Sequence, residues 1–331
     1  MGDLALSFLT EADPGFEARL RSLPPEPFAG PGYLRALRTA SGAEPAIASV
    51  RGASFECSAV LVVSPAAGDR GLARSADYGG PHLSGGDRHA AAARSGLDAL
   101  LRTQRVVSEV TVFSPWSSTT RPVLDAWGAR PEKAYCVLEL ADPDELRRQM
   151  SSGRRYDLGR AERESEATVV PFDAAAAGRF GARYASLMEE RGASERWRLT
   201  PTYFEALAAH AADALVAVEC IGTGGGSAVL YLVNGPRSAY LHSVRWGDSA
   251  GATTLANWHA FGALWQAGVC EVNLGGGVTT DPADSLLAFK RSFGGEVRML
   301  YLAGRALEPL EHERAVRAGL ARPLPEGSVV A

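Results

Sequence analysis

Ala214-Leu-Val-Ala-Val-Glu-Cys-Ile-Gly-Thr-Gly-Gly-Gly-Ser-Ala-Val-Leu-Tyr-Leu-Val-Asn-Gly-Pro-Arg-Ser-Ala-Tyr-Leu-His-Ser-Val-Arg-Trp246 is the stretch that decides the fold. It holds three short apolar runs: Ala214–Ile221, Ser227–Val233 and Arg237–Trp246. Runs of this length separated by turn residues read as consecutive antiparallel strands. The break Gly222-Thr-Gly-Gly-Gly226 lacks a Gly-Lys-Ser/Thr ending and leads into a strand. It therefore reads as a hairpin turn and not as a phosphate loop. Upstream, Ala167–Phe172 reads as a strand, and Ala174–Arg191 and Pro201–Ala212 as helices. The second helix has Thr200 as N-cap and Pro201 at its first position. Downstream come a helix over Ala252–Ala267, a strand over Val269–Asn273, a helix over Pro282–Ser292 and a strand over Glu296–Leu302.

The first half of the chain repeats this order. Leu4–Thr10 is a strand, Gly15–Leu23 and Gly32–Thr39 are helices, and Glu44–Arg51, Glu56–Ser64 and Leu72–Tyr78 are strands. A helix over Asp87–Gln104, a strand over Val106–Phe113, a helix over Thr119–Trp127 and a strand over Ala134–Leu140 complete the pass. Strand-helix-helix, three antiparallel strands, then helix-strand-helix-strand is the order of a GNAT-type (acyl-CoA N-acyltransferase-like) fold. A unit repeated in this way reads as tandem architecture. The expected fold class is α+β: two tandem GNAT-like domains, each a mixed, mostly antiparallel sheet flanked by helices. The expected boundaries are 1–141 for the first domain and 142–166 for a basic helical connector. The second domain is expected over 167–310, with a C-terminal tail over 311–331.

The 331 residues are 46% hydrophobic and 22% charged, the balance of an ordinary globular protein. The net charge of −4 argues against non-specific coating of nucleic acid. The longest apolar runs, such as Ala59–Val63, are of strand length, and the N-terminus has an acid where a signal peptide carries basic residues. A cytoplasmic monomer without a membrane span is expected. Cys57, Cys136, Cys220 and Cys270 lie apart, in or beside apolar runs, and read as reduced core residues without metal spacing. One segment departs from the average. Arg147, Arg148, Arg154, Arg155, Arg160 and Arg163 face only Asp157 and Glu162 over residues 147–163, which makes a local anion-facing patch.

Of the 34 basic residues only Lys133 and Lys290 are lysines. Lysine offers a compact point charge where arginine offers a planar fork, so a lysine kept in an arginine-rich chain marks a place that needs the point charge. Lys290 follows Gly275-Gly-Gly277, which leaves the strand containing Asn273 and precedes a helix that Asp281 is placed to cap. Glycines there let backbone N–H groups approach a ligand. Leu286, Phe289 and Phe293 recur at helical spacing, with Lys290 at the edge of their stripe. In the strand Tyr240–Trp246, alternation places Tyr240, His242 and Val244 on one face and Leu241, Ser243 and Arg245 on the other. His242 could take a proton from an attacking amine, and Tyr240 could donate to an acyl oxygen. In the first copy, Tyr78-Gly79-Gly80-Pro81 ends a central strand, where Tyr78 could contact a ligand.

The segments Asn273-Leu-Gly-Gly-Gly277 and Leu286-Leu-Ala-Phe-Lys-Arg-Ser-Phe-Gly294 resemble the C-terminal signature of the Fem family of peptidyltransferases. Tyr78–Pro81 is similar to the family's first-domain turn, and Arg155–Arg163 to its basic inter-domain helix. Tyr203-Phe204, Tyr240 and Asn257–Gly268 fit as well. The resemblance implies transfer of an amino acid from aminoacyl-tRNA, as co-substrate and without a cofactor, to the amine of a peptide acceptor. That acceptor would be a small natural-product peptide or a peptidoglycan precursor. It also implies that Lys290 lies near the tRNA 3′ end; Phe289, Arg154, Arg155, Arg160 and Arg163 are then further candidates for tRNA binding. Tyr78, Gly79, Gly80, Asn273, Gly275, Gly276 and Arg245 are then candidates for acceptor binding. The long heptad insertion and the Arg-Gly-Pro motif of some cell-wall members are missing, which leaves room for a small peptide acceptor. The alternatives are an acyl-CoA-dependent N-acyltransferase and a non-catalytic peptide-binding tandem domain.

Overall fold

The computed structural model describes residues 4–66, 68–116, 120–248, 251–281, 283–325 and 328–330. The first elements are β1 (Ala5–Thr10), α1 (Phe16–Ser22), α2 (Pro31–Ser41), β2 (Glu44–Arg51), β3 (Glu56–Pro65), β4 (Gly71–Ser75) and β5 (His82–Ser84). Next come α3 (Ala90–Thr103), β6 (Val106–Val112), α4 (Arg121–Trp127), β7 (Arg130–Glu139), α5 (Pro143–Gln149), α6 (Ser152–Glu164) and β8 (Ser165–Val170). The chain continues with α7 (Ala174–Glu190), α8 (Pro201–His210), β9 (Leu215–Gly222), β10 (Gly225–Asn234), β11 (Arg237–Gly247), α9 (Ala252–Gln266) and β12 (Glu271–Gly276). It ends with α10 (Ser285–Arg291), β13 (Glu296–Ala306), α11 (Pro309–Arg317) and β14 (Val329–Val330). The anticipated strand and helix order holds through both copies.

The compact units differ from the division expected at 141 and 167. One unit comprises 1–34, 42–133 and 299–331; the other comprises 35–41 and 134–298. The difference lies in the last strand of each copy. β13 closes the first unit's sheet, pairing antiparallel with β6 from Leu302↔Val112 to Ala306↔Ser108. β7 closes the second unit's sheet by pairing antiparallel with β12. Each of the two strands takes the place that the other would have been expected to fill. Such a trade leaves no trace in local pattern, because a strand's alternation does not name its partner. The presumed tail also belongs to the first unit, where His312 of α11 places Nδ1 3.0 Å from Ser108 Oγ and β14 pairs with β13.

The first unit's sheet runs β1-β2-β3-β4-β6-β13, with β5 on β3 and β14 on β13. Its core holds a charged cluster among apolar side chains. Arg94 of α3 lies 2.6 Å from Asp98 and 2.6 Å from Glu109, and Arg305 lies 2.7 Å from Asp98. The Arg94 guanidinium also sits 5.4 Å from the centre of the Trp127 ring. Two arginines balance two carboxylates, and this balance makes their burial tolerable.

The second unit's sheet runs β7-β12-β11-β10-β9-β8. One face packs on α6 and α9 through Leu158, Leu255, Phe261 and Leu264, with Leu287 and Phe293 at the α10 end. The other face meets α7 and α8, whose Tyr184, Tyr203 and Phe204 lie against β11. Cys57, Cys136 and Cys220 are buried as expected; Cys270 is exposed, because it sits in the turn entering β12. Among the described residues no helix is long and apolar enough to cross a membrane.

Arg94→Met should destabilise the first unit by about 3–5 kcal/mol, since it leaves buried carboxylates short of countercharge. Urea unfolding of the variant against the parent measures this. A loss under about 1 kcal/mol would show that the cluster relaxes or hydrates without cost.

Candidate active site

The geometry of the second unit is set by where two parallel strands part. β11 pairs with β12 only at Arg237↔Glu271, Ser238↔Val272 and Ala239↔Asn273. Beyond that point β12 stays with β7, pairing Gly275↔Cys136 and Gly276↔Tyr135. β11 stays with β10 as far as Gly247. The opening lies between Tyr240 onward on one strand and Leu274 onward on the other. Asn273 helps to turn β12 away: its Oδ1 accepts the Gly275 N–H at 2.8 Å, and Gly275 adopts φ +77. Asn273 itself is buried, and its Nδ2 has no partner among the described residues.

Lys290 reaches into this opening. It is only 7% exposed. Its Nζ donates to the Gly276 carbonyl at 2.8 Å and lies 5.2 Å from the centre of the Tyr240 ring. A Cβ at Gly275 would lie 3.2 Å from Nζ, so the glycine makes room for the ammonium. The lysine is thus more deeply placed than the edge of the apolar stripe suggested. The helix begins at Ser285, with Asp284 as its N-cap. Asp281 instead accepts the Ala283 N–H in a local turn, and Pro282 lies outside the described residues. The later start leaves Leu286 exposed and buries Leu287 and Lys290 on one face. Asp284 does more than cap. Its Oδ1 accepts from Leu286 and Leu287, and its Oδ2 from the Val278 and Thr279 N–H groups and the Thr279 hydroxyl. Those bonds hold its carboxyl down at about 2. The sequence signal was present, an acid directly before Ser285, but Asp281 offered the same chemistry next to a proline.

Tyr240 and His242 do not share a face. The β10–β11 register shifts between Leu230 and Tyr231, with Tyr231 opposite Tyr240 and Leu230 opposite His242. Leu241 is the extra residue of a β-bulge, and a bulge breaks the alternation. Tyr240 therefore falls in phase with Ser243, to whose Oγ its hydroxyl donates. The partners across the ladder, Tyr231 and Val229, belong to the core beneath α9. His242 turns the other way, into the rings of Tyr184, Tyr203 and Phe204, with Nε2 3.1 Å from the Tyr203 hydroxyl. Burial drives its pKa down to about 3, so the imidazole stays neutral and is a weak base.

The arginine patch divides. Arg147 forms a two-bond pair with Glu162, and Arg148 pairs with Glu145. Arg155 donates to the carbonyls of Arg148 and Met150, and Arg163 lies exposed. Arg154 lies over the Phe289 ring, 4.3 Å from its centre, and donates to Ser292 and Thr254. Arg154, Arg160, Arg245 and Phe289 line one pocket of about 420 Å³, together with Asp157, Asp248, Trp246 and the first turn of α9. The Arg160 Nε is buried there without a partner among the described residues. The α9 N-terminus has Gly251 as N-cap and no side-chain cap. Its N–H groups and the arginines make the pocket suited to an anion. The helix is pinned to β10, since Thr253 donates to Ser227 and Asn257 Oδ1 accepts from the Tyr231 hydroxyl.

Tyr78, Gly79 and Gly80 belong to the first unit. The Tyr78 ring lies 5.4 Å from that of Phe28. Gly80 packs on β6's end, where a Cβ would come within 2.8 Å of Phe113 Cα. Close backbone approach accounts for that glycine.

The sequence matches no protein-family model and no curated protein. Solved structures do match. FemX aligns over 89% of this chain and 96% of its own, with TM-score 0.66 and 11% identity. The C-terminal domain of a putative lysylphosphatidylglycerol synthetase from Agrobacterium fabrum aligns over 93% and 97%, with TM-score 0.54 and 13% identity. A tandem GNAT protein of the clavulanic acid biosynthesis pathway aligns over 90% and 98%, with TM-score 0.52 and 13% identity. The chain has a Fem-like tandem GNAT fold of the α+β class.

Two measurements probe this framework. Asp284→Ala should lose about 1–2 kcal/mol of stability. Because the folded carboxyl is held low, that contribution is present above pH 4 and disappears as pH falls towards 2, so parent and variant should converge in acid. For His242, the unfolded chain binds a proton below about pH 6.5 that the folded chain refuses until about pH 3. Stability should therefore fall as pH drops through that window. Between pH 7 and pH 5 the parent should lose about 2 kcal/mol more than His242→Gln. Equal losses would show that the imidazole is hydrated in solution.

Proposed function

We propose that this protein moves an amino acid from aminoacyl-tRNA to the free amine of a peptide acceptor, forming a peptide bond. The observation that carries the reading is the Lys290 ammonium held in the gap between β11 and β12, beside an arginine-lined pocket at a helix N-terminus. An aminoacyl ester is already activated. What it needs is alignment with the amine and stabilisation of the oxyanion. Lys290 supplies a compact positive charge near the reacting carbonyl and the last phosphate of the tRNA. Arg160 and Arg245 meet further phosphates, and Phe289, backed by Arg154, offers a ring face to a terminal base. The structural likeness to FemX supports the class. A small peptide or a peptidoglycan precursor fits as acceptor.

A second reading has its own support. An uncapped helix N-terminus with arginines nearby also suits the pyrophosphate of an acyl-CoA, although Asp248 opposes it. Radiolabelled amino acid on a mixed charged tRNA pool, offered with a panel of peptides and a peptidoglycan precursor, separates the two. Product sensitive to ribonuclease is expected. Acetyl-CoA consumption with the same amines, and no transfer from tRNA, would replace the first reading by the second.

In that assay Lys290→Ala should lower turnover by about 10²–10³-fold, the usual cost of removing an oxyanion partner. Lys290→Arg should also be impaired, because the guanidinium is wider than the space beside Gly275. Parental rates in both would remove Lys290 from the mechanism.

A further inference from the structure

We propose that Ser243 is a catalytic hydrogen-bond donor to the reacting carbonyl oxygen, with Tyr240 as the residue that positions it; this rests on the aminoacyl-transfer reading above. The bulge at Leu241 gives the β11 face beneath α9 the row Tyr240, Ser243, Arg245. The ladder fixes this row. Tyr240 lies opposite Tyr231, Ser243 opposite Val229, and Arg245 opposite Ser227. Tyr231 and Val229 are in the α9 core, and Ser227 receives a hydrogen bond from Thr253 of α9. One end of the row meets Lys290 through the Tyr240 ring, and the other end lines the arginine pocket. Ser243 is the hydroxyl in between, about 7 Å along the strand from Arg245. On the aminoacyl-transfer reading, Ser243 thus stands along β11 between the residue that lines the phosphate pocket, Arg245, and the one that meets Lys290, Tyr240.

The hydroxyls are arranged for donation. A tyrosine O–H that donates to a serine oxygen leaves the serine hydrogen free to point outward, and it polarises that hydrogen. Ser243 is partly exposed, unlike Asn273 on the facing strand. Burial holds the Tyr240 phenol above its usual range, so it remains a donor near neutral pH. In the step itself, the amine nitrogen forms a bond to the ester carbon and the carbonyl π pair moves onto oxygen. Ser243 O–H and Lys290 N–H donate to that oxygen without losing their protons. Collapse restores the carbonyl and breaks the bond to the ribose oxygen, which takes the proton that the amine gives up.

Single-turnover transfer from the charged tRNA pool, and affinity for an uncharged RNA minihelix ending in CCA, should be measured for the parent, Ser243→Ala, Ser243→Thr and Tyr240→Phe. Ser243→Ala should slow transfer by about 10–100-fold with RNA affinity within twofold. Ser243→Thr should recover most of the rate, and Tyr240→Phe should fall between. A Ser243→Ala rate within threefold of the parent, in an assay where the parent transfers, overturns the role of Ser243 alone. A loss of RNA affinity equal to the loss of rate also overturns it, as binding. No tRNA-dependent transfer by the parent overturns the reading beneath it as well.

Discussion

The parting of β11 and β12 is the constraint on which the rest of the second unit depends. Parallel strands gain little by separating, and each lost rung leaves backbone groups to be satisfied elsewhere. Here the chain meets that cost locally. Asn273 takes the Gly275 N–H, and Lys290 takes the Gly276 carbonyl. The ammonium is in turn satisfied by that carbonyl and by the Tyr240 face. Each member makes the others tolerable: a buried cation needs the carbonyl, and the released carbonyl needs a donor. The same arithmetic explains why a chain that writes arginine elsewhere keeps lysine here. With 3.2 Å between Nζ and a hypothetical Cβ at residue 275, a guanidinium would have to push the strand aside.

Asp284 works one step back from that lysine. It caps α10, which carries Lys290, and it folds the loop that leaves β12, so a single carboxylate sets both ends of the approach. Gly277 belongs to the same device, because a Cβ there would fall 2.5 Å from the Asp284 carboxylate. Two glycines of the Gly275-Gly276-Gly277 run are thus explained by what stands against them: Gly275 by positive φ and the ammonium, Gly277 by the capping acid.

Much of the fold was legible because its signals are local. Hairpin turns, an alternating strand and an apolar helix each announce themselves within a dozen residues, and their order named the architecture. What was not legible depends on partners. The exchange of β7 and β13 changes no local pattern. The bulge at Leu241 adds one residue between ordinary strand residues and reverses the side chains on one side of it, which separated Tyr240 from His242. The arginine run could be counted but not apportioned, since Glu162, Glu145 and two main-chain carbonyls claim three of its members only in three dimensions. Lys290 and Phe289 were legible because they stand beside glycines whose cost calls for a reason. Ser243 was passed over because it lay on the face that alternation had assigned away from Tyr240.

The two copies of the architecture also show why the candidate chemistry sits in only one. In the first unit the equivalent parallel pair is β4 and β6, joined from Gly71↔Val106 to Arg74↔Val110. There the strands do not open. Ser75 accepts the Val112 N–H at 2.8 Å, so a side chain continues the ladder where main-chain pairing stops. The chain then turns at Asp77, which adopts φ +42 and whose carboxylate is held by the Tyr33 hydroxyl and by Arg74. That turn lays Gly80 directly on the backbone at the end of β6. A serine and a glycine close in the first copy the space that an asparagine, a glycine and a lysine keep open in the second. The same topology gives a sealed strand end or a charged cleft according to which side chain meets the first unpaired rung.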